Sequence, residues 1–175
     1  MTTRIVLVRG INVGGHNRLP MADLRDVLTE LGCRDVQTYL QSGNAVVTAG
    51  PKNLAPRIET ALQQRLDLDV RVIVITAAEL RAIAKANSFP GRESTPKQLH
   101  VAFFEAPPDP AKIKEVGTTH GEDELAIGKR VLYLSYSDTS HNSPLTAALR
   151  RIGGVSTARN WITVTKLIEL ADATG

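Results

Sequence analysis

The sequence predicts an α+β protein made of two ferredoxin-like (split βαβ) units in tandem, with antiparallel sheets and an extra C-terminal helix. Three observations predict it. Short apolar runs with strand patterning alternate with stretches of helical spacing. From residue 4 to residue 76 the order is strand–helix–strand–strand–helix–strand. That order then recurs beyond Ser88–Lys97, a stretch broken by Pro90, Gly91 and Pro96. The expected division is residues 1–87, the first unit with a connecting helix, and residues 88–175, the second unit with the terminal helix.

Arg4–Arg9 reads as the first strand. Ile5, Val6, Leu7 and Val8 make both its faces apolar, so both should be covered. Pro20 suits a helix's first turn; Met21, Leu24, Val27, Leu28 and Leu31 share one face, and Gly32 supplies the stop. Asp35–Gln41 and Ala45–Thr48 read as a hairpin about Ser42-Gly43-Asn44. Leu54, Ile58, Ala61, Leu62 and Leu66 define the second helix, and Val70–Ile75 the fourth strand. Thr76 and Glu79 have the spacing of a capping box that opens a third helix.

In the second copy Gln98–Phe104 is a strand, and Asp109-Pro110 is an N-cap followed by proline. Leu125–Ile127 and Val131–Tyr136 bracket a Gly128-Lys129-Arg130 turn. Ser143-Pro144 opens another helix, and Val155–Ala158 forms a short last strand. Trp161, Val164, Leu167, Ile168 and Ala171 mark the terminal helix, which Asn160 can cap.

Composition narrows the function classes. An apolar fraction of 42% is enough for a core, and aromatics at 4% leave that core to Val, Ile, Leu and Ala. A net charge of +3 tolerates an anionic partner, yet no basic run marks a dedicated nucleic-acid binder. The single cysteine, Cys33, excludes a disulfide framework and reads as a small structural thiol. No apolar run approaches a membrane span, so a cytoplasmic protein without a membrane partner is expected. His16, His100, His120 and His141 lack metal-ligand spacing, and no cofactor signature is present. Glu122-Asp123-Glu124 reads as a solvated face. Strands Arg4–Arg9 and Ala45–Thr48 carry no aromatic side chain, which argues against base stacking on the sheet.

The segment with most chemical content is Arg9-Gly10-Ile11-Asn12-Val13-Gly14-Gly15-His16-Asn17, followed by Arg18. It matches neither the P-loop nor the dinucleotide turn. Its glycines allow close approach, and its amides can form an anion nest beside Arg9, Asn12, His16 and Arg18. In a ferredoxin-like sheet the spatial strand order is 4-1-3-2, so this loop and the Gln41–Asn44 turn should lie side by side. The expected ligand residues are therefore Arg9, Asn12, Gly14, Gly15, His16, Arg18, Gln41, Ser42 and Asn44, with Arg159 and Asn160 as further candidates.

Four motifs, Leu7–Gly15, Met21–Leu24, Tyr39–Asn44 and Ala158–Trp161, resemble the bacterial family called domain of unknown function 1697. The resemblance implies a pair of ferredoxin-like units and a cytoplasmic bacterial origin, and it transfers no catalytic residue. The expected function is binding of an anionic ligand, a nucleotide or nucleic-acid phosphate, at the Gly/Asn-rich loop. Two alternatives stand beside it. One is an enzyme of unnamed reaction using the same cleft, with His16 as its titratable group. The other is an interaction module or homodimer whose motif loops only hold the fold.

Overall fold

The structure, a computed structural model, describes residues 1–174. The chain divides into two compact units, Met1–Arg81 together with residues from Lys166 onward, and Ala82–Thr165.

The first unit contains β1 (Arg4–Val8), α1 (Met21–Glu30), β2 (Cys33–Tyr39), β3 (Asn44–Ala49), α2 (Leu54–Leu66), β4 (Val72–Thr76) and the start of α3 (Ala77–Lys85). Its four-stranded sheet has the order β2-β3-β1-β4 with antiparallel pairing throughout. This is the expected ferredoxin-like order. Alternation decides which side chains reach the helices. Val6, Val8, Ala45, Val47 and Val72 pack with Leu24, Val27, Leu28, Leu54, Ile58 and Leu62 of α1 and α2. Ile5, Leu7, Val46 and Ile73, on the opposite face, are buried as well. The capping box at α3 is reciprocal: the Thr76 amide donates to Glu79 Oε2 at 2.7 Å, and the Glu79 amide donates to Thr76 Oγ1 at 3.1 Å.

The edge strand β2 departs from its expected limits, beginning and ending two residues early. Its register against β3 shifts between Arg34 and Gln37, and Asp35 takes a φ of 50°. A bulge of this kind breaks the period-two pattern from which strand limits are read.

The second unit holds the end of α3, a short 3₁₀ turn (Pro90–Ser94), β5 (Leu99–Phe104), α4 (Pro110–Val116), β6 (Thr119–His120), β7 (Asp123–Ile127), β8 (Val131–Ser135), α5 (Pro144–Ile152), β9 (Ser156–Asn160) and the first turn of α6 (Trp161–Ala173). Its sheet order, β6-β7-β8-β5-β9, is the same ferredoxin-like order with one short strand added at an edge. Ala102, Phe104, Leu125, Leu132, Leu134 and Tyr136 pack against Ile113 of α4 and Leu145, Ala148 and Ile152 of α5. Both N-caps form as expected: Asp109 accepts from the Ala111 amide, and Ser143 from the Leu145 amide. The last strand extends through Arg159 and Asn160, because pairing with Val101 and His100 of β5 carries it past Ala158.

Asp123 corrects the reading of residues 122–124 as a solvated face. Glu122 and Glu124 are exposed, but Asp123 is only 5% exposed. Its carboxylate accepts from the Ser137 amide at 2.7 Å, from Ser137 Oγ at 2.8 Å and from the Ser143 hydroxyl, so it ties the exit of β8 to the entrance of α5. Burial pushes its pKa up, but the bonds from Ser143 and Ser137, helped by the charge of Arg92, outweigh burial. The carboxyl therefore titrates below the ordinary aspartate value. His100 is satisfied within the sheet: its ring meets Tyr136 edge-on with centroids 4.9 Å apart, and Nε2 lies 3.1 Å from the Lys97 carbonyl oxygen.

Candidate functional site

Strand β1 delivers the chain into a loop built around Asn12. The Asn12 amide donates to the Asn17 carbonyl at 3.1 Å, and Asn17 Nδ2 donates to the Gly10 carbonyl at 3.2 Å. The Asn12 side chain reaches further. Its Nδ2 donates to the Leu19 carbonyl at 2.9 Å and to the Gln41 carbonyl at 2.7 Å, while Oδ1 accepts from the Leu19 amide at 2.9 Å. One amide group thus joins the β1 exit, the α1 entrance and the β2–β3 turn. Asn12 has a φ of 55°, a region that asparagine tolerates better than most residues.

The β2–β3 turn is fixed from the other side. The Val8 amide donates to the Gly43 carbonyl at 2.8 Å. A Cβ at Gly43 would lie 2.7 Å from Ile11 Cδ1 and 2.9 Å from Val8 Cβ, so only glycine fits against the loop. Asn44, at the start of β3, is fully buried, and its Nδ2 donates to the Tyr39 carbonyl and to Ser42 Oγ.

Between Asn12 and Asn17 the chain makes a two-residue turn. The His16 amide donates to the Val13 carbonyl at 3.0 Å, and Gly14 and Gly15 take φ values of 59° and 76°, the positive pair that a type I′ turn requires. Among the described residues, the Gly14 and Gly15 amides donate to no protein acceptor. His16 and Arg18 are exposed, and Arg18 forms no ion pair among the described residues. Arg9 is exposed, and its own amide donates to the Arg71 carbonyl at 2.9 Å. No carboxylate occurs from Met1 through Ala22. Chemically, the turn offers two amide donors, an imidazole and the Arg18 guanidinium to a small acceptor.

The expected residues divide accordingly. Arg9, Asn12, Gly14, Gly15, His16, Arg18, Gln41, Ser42 and Asn44 all belong to the first unit, where the Asn12–Gln41 bond joins the two loops and Asn12 and Asn44 spend side-chain donors on backbone carbonyls. Arg159 and Asn160 belong to the second unit. Arg159 is 7% exposed in β9, and its Nη1 donates to Thr157 Oγ1 at 2.6 Å and to the Ala158 carbonyl at 2.9 Å. Burial lowers its pKa to about 10. Asn160 caps α6 by accepting from the Thr163 amide at 3.0 Å.

Sequence reasoning passed over two side chains at this pole. Val13, on the two-glycine turn, is 67% exposed, and Leu40, in the β2–β3 turn, is 53% exposed. Leu40 also has a φ of 59°, uncommon for a bulky residue. Its neighbours Tyr39 and Gln41 resemble ordinary hairpin sequence, so only the backbone angle reveals the anomaly.

Two split βαβ units with these sheet orders define a class of small α+β proteins of doubled ferredoxin-like topology. Within that class, the chain belongs to the family described as Protein of unknown function (DUF1697), whose model matches residues 1–133. The match takes in the β1 loop, the α1 entrance and the hairpin turn, and Ala158–Trp161 lies beyond it. Among solved structures, the conserved bacterial protein SP0830 from Streptococcus pneumoniae is similar at 24% identity and a TM-score of 0.77, over 97% of this chain and 98% of that one. At that identity the likeness shows the fold. No curated protein matches the chain. No helix among the described residues is long and apolar enough to cross a membrane, and among them no group of three or more His, Cys, Asp or Glu residues could hold a metal ion.

Proposed function

We propose that this protein binds an anionic group, the phosphate of a nucleotide or nucleic acid, on the Val13–His16 turn. One observation carries the reading: a turn locked at its base by Asn12 leaves the Gly14 and Gly15 amides without protein acceptors, and Arg18, three residues further along the chain, has no ion pair among the described residues. Adjacent backbone amides held in a fixed curve suit anion oxygens, because their dipoles converge and need no reorganisation. Arg18 adds charge, and His16 adds a donor or an acceptor. Asn12, Gln41 and Asn44 act in this reading as the frame of the site, since their polar groups bind one another and the backbone.

The test is titration calorimetry with ATP and with a short single-stranded RNA, in low and moderate salt, on wild type and Arg18→Ala. Binding that weakens about fivefold in the variant, with a shallower salt dependence for RNA, is expected. Equal affinity in the two proteins, or no heat from either ligand, removes the proposal.

A further inference from the structure

We propose that the first unit is closed by a strap. Residues 166–174 lie over the sheet face that α1 and α2 leave uncovered, and the unit completes its folding only when they arrive. Strand pairing places the strap. Gln37 of β2 stands opposite Val46 of β3, Val46 opposite Ile5 of β1, and Ile5 opposite Ile75 of β4. Residues paired across strands share a face, so these four form one row over the width of the sheet. Val6, Val8, Ala45, Val47 and Val72 pack with the two helices, so the row belongs to the other face. At the end of the row Gln37 Nε2 donates to Thr174 Oγ1 at 2.8 Å, which brings the strap onto that face.

The far side is held as well. Edge strand β4 runs into α3, whose Arg81 Nε donates to Asp172 Oδ1 at 3.0 Å. Thr3, Ala78 and Arg81 line one cavity with Ala171 and Asp172, so the strap also meets the start of β1. Asp172 and Thr174 are two residues apart, yet their partners come from elements at opposite edges of the sheet. Ile5, Val46 and Ile75 are buried, and so are Leu167 and Ala171 of the strap. Of the first unit's own elements, only the start of α3 and the strap remain to cover this row.

The strap is remote in sequence. Gln37 and Thr174 are 137 residues apart, and Arg81 and Asp172 are 91 apart. Such contacts form late, because chain entropy is lost before the contact compensates for it. The second unit is one continuous stretch, Ala82–Thr165. It therefore gains structure first, and the first unit closes after it.

Hydrogen exchange on the full chain tests both halves of the idea. Pulse labelling during refolding of wild type should find β8 amides protected before those of β1 and β3. At equilibrium, Ala171→Pro breaks the end of α6 and detaches Asp172 and Thr174. It should speed exchange in β1 and β3 about a hundredfold and in β8 less than about threefold, since the first unit opens by itself. Gln37→Ala combined with Arg81→Ala leaves α6 intact and should give the same pattern at about fivefold. Protection of β1 together with β8, or before it, overturns the folding order. Equal acceleration of β1 and β8 in the double variant, or unchanged β1 exchange in either protein, overturns the strap.

Discussion

Removing the Asn12 side chain should loosen the whole pole of the first unit. Three hydrogen bonds depend on it: two donated, to Leu19 and Gln41, and one accepted, from Leu19. A typical internal hydrogen bond contributes about 1 kcal/mol net, and the exposed one to Gln41 falls at the low end of that range. Asn12→Gly keeps the left-handed backbone and deletes all three, a loss of about 2–3 kcal/mol with roughly 0.5 kcal/mol more from the freer unfolded chain. Asn12→Ala adds about 1 kcal/mol for holding alanine at a positive φ. Asn12→Asp retains the acceptor for the Leu19 amide, yet turns carboxylate oxygen towards the carbonyls of Leu19 and Gln41, and should cost about as much as the glycine variant. Urea unfolding followed by circular dichroism measures the series, and hydrogen exchange at the Leu19 amide localises it. The reasoning fails if Asn12→Gly costs under about 0.5 kcal/mol and leaves Leu19 protection unchanged.

Two further outcomes follow from close contacts and charge. Gly43→Ala forces a methyl group to within 2.7 Å of Ile11 Cδ1 at a φ of 88°, and should destabilise by about 2–4 kcal/mol, as overpacking and backbone strain combine; urea unfolding at near-wild-type stability would refute that packing. Asp123 titrates below its unfolded value of 3.8, so its stabilisation is full above that pH and is lost as pH falls through the folded pKa. Asp123→Asn should cost about 2–3 kcal/mol at pH 7 and flatten the acid limb of the stability curve, and an unchanged limb would show that this carboxylate is not the clamp.

The element order was legible because its signals are local. Asp109-Pro110, Ser143-Pro144 and the Thr76–Glu79 pair mark helix starts within four residues, and the apolar spacing of α2 needs no tertiary information. Non-local pairing set what was missed. Strand β9 runs on to Asn160 because β5 lies beside it, and β6 is two residues whose pairing depends on β7. Asp123 resembles its acidic neighbours in sequence, and strand alternation alone turns it inward to meet serines 14 and 20 residues away. At the candidate site, strand order brings the β1 loop beside the β2–β3 turn, and the Asn12–Gln41 bond is that adjacency. The double engagement of Asn12 and the strained exposure of Leu40 could not be read from residue types, since both depend on backbone angles and on partners far along the chain.

The kink in β2 has a bearing on how molecules of this protein meet. A flat outer strand invites a second chain to lengthen the ladder, and this one is spoiled by the misaligned step between Arg34 and Gln37 and by the backward-turned Asp35. Gln37 is also occupied by Thr174, which bridges the strand to the far end of the sequence. Growth of fibrils or stacked sheets through that rim would first have to straighten the step and release the tether, so the molecule carries its own guard against self-templating on that side.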